Sequence, residues 1–265
     1  MINVLVYHAL SARDYHAHEA VSASLLKAVR ACPAAVAWRR IHGEPPPSAG
    51  IRLGTLAHAA ILEPDSYAAA YLVFDGTRRG KAYDAALADA QATGREIVTA
   101  TEDATAQAMA AAVRAHPLAR EWLATGPGTD AHTEVSLLWR AEDGRACKAR
   151  LDHVDLRARV VCDVKTTSAM AIVPRRFGSQ SYDAGTHLQM AWYVDAAALT
   201  WPGAPFRARV VAVAQTPPYE VVCYELTEAL VAAGRSEAWQ AYDRLCECER
   251  TGVWPGRWCH SAAAT

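Results

Sequence analysis

Asp152, Asp163 and Lys165 are the residues of this chain whose types and spacing could do chemistry together. Residues 145–156 alternate Lys148, Arg150 and Asp152 with Cys147, Ala149 and Leu151, a strand pattern that gives the three charged side chains one face. Residues 159–166 read as the next strand, where Asp163 and Lys165, two apart, again share a face. A two-residue turn at Arg157 and Ala158 then sets Asp152 opposite Asp163 and Arg150 opposite Lys165. Facing carboxylates repel, and burial in a low dielectric raises the cost. A cation seated between them removes it; oxygen ligands suit Mg²⁺, and Mn²⁺ can substitute. Lys165, one pleat away, is placed to orient or deprotonate a water and to steady charge developing on a phosphate. The competing reading of the same residues is a solvated hairpin face with ordinary ion pairs.

Further groups could join this site. His58 shares a helical stripe with Gly54 and Ile61, the apolar face of a helix over 53–62. A histidine there is either a satisfied core residue or a ligand, and an acidic pair lacking a further ligand favours the second. Glu134, near the start of the strand 132–140, is a candidate metal ligand or a supporting partner of one. Lys148 and Arg150 on the acid-bearing face, Thr166, and the loop Arg78-Arg79-Gly80-Lys81 are candidate DNA-binding residues, against ion-pair roles or a plain solvated loop.

The elements that must position these groups fall into two parts. Up to about residue 130 the chain reads as helices: two short ones within 22–40 broken at Cys32-Pro33, one over 53–62 stopped by Glu63-Pro64, an Ala-rich helix after the basic loop, and another over 101–115. From residue 131 the period becomes extended, with strands 132–140, 145–156 and 159–166 as a meander. A helix over 181–199, a hairpin of 206–215 with 219–225, and a final helix over 227–250 complete a single domain of residues 1–265. Trp38, Trp192 and Trp239 occupy helical positions that read as core.

Composition is ordinary for a globular protein: 265 residues, 52% hydrophobic, 21% charged and a formal net charge of −1. A near-neutral total does not announce nucleic acid, yet a local basic patch can coexist with it. The start of the chain lacks a basic region followed by an apolar segment and cleavage site, and no apolar run reaches membrane-spanning length, so a cytoplasmic protein with no membrane association is expected. Seven scattered cysteines do not form the framework of a secreted disulfide protein.

Taken in order, His58, Asp152, Asp163-Val164-Lys165 and Gln189-Met-Ala-Trp-Tyr193 resemble the signature of the PD-(D/E)xK nuclease superfamily, RecB-like branch. Within it the chain is similar to the RecE-type exonuclease VIII family of phages and prophages. The resemblance covers about residues 20–257 through Ser22-Ala-Ser-Leu-Leu-Lys27, Gly54-Thr-Leu-Ala-His58, Arg78-Arg-Gly-Lys81, Glu134-Val-Ser136, Cys147 to Asp152, Asp163 to Thr167, Pro217-Pro-Tyr219 and Thr251 to Gly256. Leu151 stands where the superfamily's name has proline. The resemblance implies an α/β fold with a restriction-endonuclease-like core, a central mixed sheet flanked by helices, and an N-terminal helical extension. It implies a Mg²⁺-dependent exonuclease that degrades the 5′ strand of linear duplex DNA and leaves 3′ overhangs for recombination. On it, His58, Asp152, Asp163 and the Val164 carbonyl hold metal, Lys165 positions or activates water, and Gln189 and Tyr193 orient the site. It further implies a ring-shaped homo-oligomer on DNA ends, working beside a single-strand annealing protein. Alternatives are an endonuclease using the same site, an inactive DNA-end-binding accessory protein, or an iron–sulfur nuclease. Cys32 with Cys246, Cys248 and Cys259 would supply that cluster, but C-x-C-x₁₀-C departs from the tight C-x-x-C spacing, and unliganded thiols are the preferred reading.

Overall fold

The computed structural model describes residues 3–8, 10–170 and 172–257, the side chains of Pro174, Arg175 and Phe177 aside. Cys259 lies outside the described residues. The N-terminal part comprises β1 (Val4–Tyr7), α1 (Ala12–Ala17), α2 (Ala23–Ala31), α3 (Pro33–His42), α4 (Ala49–Leu62), α5 (Pro64–Ala70), β2 (Tyr71–Phe74), α6 (Lys81–Thr93), β3 (Glu96–Thr99), α7 (Ala100–Ala115) and α8 (Pro117–Trp122). There follow β4 (Ala131–Arg140), β5 (Ala146–Asp155), β6 (Val160–Thr167), α9 (Pro174–Asp183), α10 (Thr186–Thr200), β7 (Arg207–Ala214), β8 (Val221–Glu225) and α11 (Glu228–Thr251).

One six-stranded sheet runs β1-β4-β5-β6-β7-β8, and a small parallel pair, β2 with β3, stands apart. Neighbours in the large sheet are antiparallel except β6 and β7, which run parallel because α9 and α10 carry the chain back between them. Helices cover both faces. On one, α2, α10 and α11 pack Leu26, Val29, Met190 and Leu245 against Leu137, Ala149, Val161 and Val210. On the other, α4 and α7 pack Leu56, Met109 and Val113 against Val160, Cys162, Val211 and Val213. Strand β7 and the first half of β6, buried on both sides, are accordingly apolar runs, Val210 to Ala214 and Val160 to Cys162. The mixed α/β sheet flanked by helices is the fold class expected from the sequence.

Several local readings are corrected. The helix expected over 181–199 is two helices, because Gly185 takes a left-handed φ of +70° that ends one and caps the next. The hairpin turn spans four residues, 156–159, rather than two; its symmetric lengthening leaves the pairing unchanged, with His153 opposite Cys162. Trp192 is core at 4% exposure, whereas Trp38 and Trp239 are 55% and 46% exposed. Helix α4 starts four residues before the expected position, at Ala49, because Ser48 caps it by accepting from the Ile51 amide at 3.4 Å.

Candidate metal-dependent active site

Strands β5 and β6 part at the point where the site forms. Their ladder ends with His153 opposite Cys162, so Asp152 and Asp163 are the next facing positions. In place of the next rung, Asp152 Oδ2 accepts from the Val164 amide at 2.8 Å. Strand β4 is irregular at the same level. Glu134, flanked by the pairs Thr133 with His153 and Val135 with Leu151, has a left-handed φ of +54°. That conformation is unfavourable for a residue with a side chain and persists where surrounding structure enforces it, commonly at functional sites. Leu151 and Val154 pack into the same core despite their odd separation, so the alternation of β5 also breaks here.

Helix α4 delivers His58 to this break. A Cβ on Gly54 would stand 2.9 Å from Thr166 Oγ1 of β6, so only glycine lets the helix sit this close to the sheet. One turn later His58 Nε2 lies 2.7 Å from Asp152 Oδ2 and Nδ1 lies 3.1 Å from Glu134 Oε1. Ligand atoms of His58, Glu134 and Asp152 all lie within 4.8 Å of one another, the one such group of three or more among the described residues. Glu134 is anchored by an ion pair with Arg150 Nε, which fixes its other oxygen.

Asp163 is placed differently. It has no exposed surface, accepts from Gln189 Nε2 at 2.9 Å, and pairs with Lys165 Nζ at 2.6 Å. Gln189 is saturated: Nε2 also donates to Tyr193 Oη at 3.0 Å, while Oε1 accepts from Lys27 Nζ at 2.7 Å and Lys165 Nζ at 3.3 Å. The four-residue spacing of Gln189 and Tyr193 on α10 puts both on the face toward β6.

Electrostatics separates the two carboxylates. Burial lifts Asp163 to about 6 against the pull of Lys165. Burial opposes ionisation of Asp152 too, but His58, Lys165 and the Val164 amide outweigh it and hold its pKa below the usual carboxylate value. His58 moves well above its ordinary pKa: burial disfavours the imidazolium, and Asp152 and Glu134 overcome that. Burial and Lys165 push Lys27 down to about 8. Tyr193, raised well beyond the ordinary phenol by burial and by Asp152, stays protonated.

A cleft of about 470 Å³ opens over these groups, lined by His58, Glu134, Asp152, Val164, Lys165, Thr166 and Tyr193 among others. Lys148 and Arg150 also border it, but their charges are committed. Lys148 Nζ donates to the Tyr15 and His18 carbonyls at 2.8 and 2.7 Å, and Arg150 reaches Glu134 and the Leu10 carbonyl. Thr166 Oγ1 accepts from Gln215 at 3.0 Å. The Arg78-to-Lys81 loop is exposed and does not line the cleft; Arg78 pairs with Glu102 at 2.8 Å, which also holds Arg52. Lys27, Tyr15 and Glu63, brought in by α2, α1 and the end of α4, are parts of the site that sequence reasoning did not assign. Lys27 lay within the segment Ser22 to Lys27, but a helix lysine is ordinarily solvated and nothing local revealed its bond to Gln189, 162 residues away.

Two carboxylates and one imidazole, all deprotonatable and converging on one point beside a lysine, are a donor set that fits an oxygen-preferring divalent cation. His58, Glu134 and Asp152 would hold it.

A family model described as "PDDEXK-like domain of unknown function (DUF3799)" matches residues 22–265. No curated protein matches the chain. Among solved structures, a "Putative exonuclease" from Eubacterium rectale superposes with a TM-score of 0.66 at 12% identity, covering 94% of this chain and 90% of that one. At that identity the likeness is one of fold.

Proposed function

The chain belongs to the PDDEXK-like domain family (DUF3799), and from that premise we propose that it is a Mg²⁺-dependent nuclease hydrolysing phosphodiester bonds of double-stranded DNA. The observation that carries the reading is the convergence of His58, Glu134 and Asp152 within 4.8 Å, in a cleft that Lys165 also lines. Bound there, the cation would polarise the scissile phosphate and offset the charge that builds on its oxygens.

The chain's own residues prepare the site. The Val164 amide and Arg150 hold Asp152 and Glu134 in place, so their geometry precedes the ligand. Asp163 pins Lys165 through an ion pair, and Gln189 supports both groups. The ammonium so fixed orients the attacking water and steadies negative charge on the phosphate. Arg79 and Lys81, exposed and without ion pairs among the described residues, supply cationic contacts to the DNA backbone.

The resemblance of the sequence motifs to RecE-type enzymes, and the exonuclease designation of the Eubacterium rectale protein, support the finer reading: attack at linear duplex ends, removal of the 5′ strand, and 3′ overhangs for recombination. A homo-oligomeric ring and a single-strand annealing partner belong to the same proposal. No helix among the described residues is long and apolar enough to cross a membrane.

Linear duplexes labelled at the 5′ or 3′ end, and a closed circle, test this with Mg²⁺ and with EDTA. The expected result is Mg²⁺-dependent loss of the 5′-labelled strand with the circle intact. Cutting of the circle would replace the exonuclease reading with an endonuclease. No cleavage of any substrate with Mg²⁺ or Mn²⁺ overturns the function.

A further inference from the structure

A second concavity, a groove of about 670 Å³, lies between the end of β4 and helices α10 and α11, and none of its lining residues borders the catalytic cleft. Its floor is aromatic. Ring centroids of Trp139 and Trp192 are 5.3 Å apart, those of Trp192 and Trp239 6.0 Å, and those of Trp239 and Tyr242 5.2 Å, so four rings form one contacting cluster, with Trp239 its exposed member. Trp239 is 46% exposed and Leu199 beside it 41%, an open apolar patch rather than a sealed core.

The rim is uniformly acidic. Glu142, Asp143, Asp195 and Asp243 line the groove, and no lysine, arginine or histidine does. Two of the four have partners: Arg235 grips Asp195 through contacts of 2.6 and 2.7 Å, and Tyr242 donates to Asp143 at 2.8 Å with Arg145 at 3.3 Å. Glu142 and Asp243, both exposed, carry no ion pair among the described residues. Uncompensated carboxylates around the exposed Trp239 ring attract a cation twice over, by charge and by the ring quadrupole. The same field repels nucleic-acid phosphates. This face is therefore suited to a protein and unsuited to DNA.

We propose that the groove docks a partner protein presenting a short basic segment, with an apolar side chain seated on the Trp192–Trp239 floor and lysine or arginine side chains over Glu142 and Asp243. The volume exceeds that of any one side chain, which favours a peptide over a lone amino group. Exposed tryptophan in a concave patch is the residue type that anchors such interfaces, and the free rim charges set the partner's sign. The proposal does not depend on the catalytic reading.

The probe is an acetylated, amidated heptapeptide alternating leucine and arginine, with a control in which citrulline replaces arginine. Binding is followed by tryptophan fluorescence and by the indole N–H resonance of Trp239, assigned with Trp239→Phe. The arginine peptide should give a saturable shift of that resonance, weakened by added salt. The double variant Glu142→Lys/Asp243→Lys should lose affinity by about tenfold or more, since two rim charges reverse. All three side chains are exposed, so these variants should keep the wild-type melting temperature and Mg²⁺-dependent cleavage. No shift at millimolar peptide overturns the proposal, as does equal binding of the citrulline peptide. Light scattering that shows self-association through the groove, abolished by Trp239→Glu, would overturn it in favour of a second copy of the chain.

Discussion

Asp152 and Asp163 face one another one position beyond the last β5–β6 ladder pair, yet the protein shifts their acidities in opposite directions. Asp152 is braced as an anion by His58 and the Val164 amide. Asp163, fully enclosed, is pushed toward its neutral form by burial and by Asp152, while Lys165 and His58 pull the other way. The repulsion expected from facing carboxylates is thus offset by giving each its own cationic side chain, His58 for Asp152 and Lys165 for Asp163. Asp152 turns to α4, and Asp163 to α10.

This asymmetry predicts how metal-free stability varies with pH. The folded pKa of Asp163, about 6, lies above its ordinary 3.8, so its contribution to stability is complete below pH 3.8 and is lost as pH rises through 6. Two pKa units correspond to about 3 kcal/mol. In EDTA, the unfolding free energy of Asp163→Asn relative to wild type should therefore shift by about 3 kcal/mol in the variant's favour between low and neutral pH. Urea titrations at intervals across that range measure it. A difference that stays constant with pH would mean that folding leaves the pKa of Asp163 unshifted.

Gly54 makes a second relationship testable. Gly54→Ala brings a methyl to 2.9 Å from Thr166 Oγ1 and must push α4 off β6, carrying His58 with it. Alanine is the better helix former by about 1 kcal/mol, so stability should change little. Cleavage should fall on the order of 10²-fold, the usual result of small misplacements in a preorganised site. Adding Thr166→Ala removes the obstructing oxygen and should restore most of the rate. Failure of the double variant to recover would show that Gly54 acts by some means other than close approach.

Glu134 carries the third prediction. Glu134→Gln keeps the shape but removes one of two carboxylates from the donor group, so Mn²⁺ affinity, read by electron paramagnetic resonance, should fall by about 10–100-fold. Duplex binding in EDTA should be unchanged, since it rests on cationic contacts to phosphate. Asp152→Asn should abolish cleavage outright and also lower stability by about 1–3 kcal/mol, because its amide is a poorer acceptor for the Val164 N–H and leaves His58 with Glu134 alone as its counter-charge. Mn²⁺ affinity unaltered in Glu134→Gln would remove that residue from the metal set.

How much of this was legible depended on whether the cause was local. The β5–β6 register followed from alternation together with a turn centred on Arg157 and Ala158, and the longer turn did not disturb it because it lengthened symmetrically. His58 was readable as the polar misfit on an apolar stripe, whereas Gln189 and Tyr193 were reached only through the motif resemblance. Strand β1 was missed because four residues with half-exposed alternation at a sheet edge are too short to signal. The left-handed Glu134 is set by packing of β4 against β5 and α4, which no sequence window contains. Lys148 read as a phosphate ligand from its face. Its actual partners, the Tyr15 and His18 carbonyls, come from a helix about 130 residues earlier.

The last prediction separates the two lysines. Lys165 Nζ sits 2.6 Å from Asp163 and lines the cleft, while Lys27 Nζ touches Gln189 Oε1 from behind and does not line it. Arginine at 165 keeps the charge but is a planar, permanently protonated fork that does not fit between Asp163 and Gln189. If Lys165 positions or activates the water, Lys165→Arg should lose about 10²-fold or more in single-turnover rate at saturating Mg²⁺, approaching Lys165→Ala. Lys27→Met should act only through Gln189: a loss of about tenfold or less, repeated in Gln189→Ala and not added to it in the double variant, because residues acting through one contact are non-additive. Near-wild-type rates for both Lys165 variants would return this strand face to an ordinary charged surface. Additive losses for Lys27→Met and Gln189→Ala would give Lys27 a contact with DNA of its own.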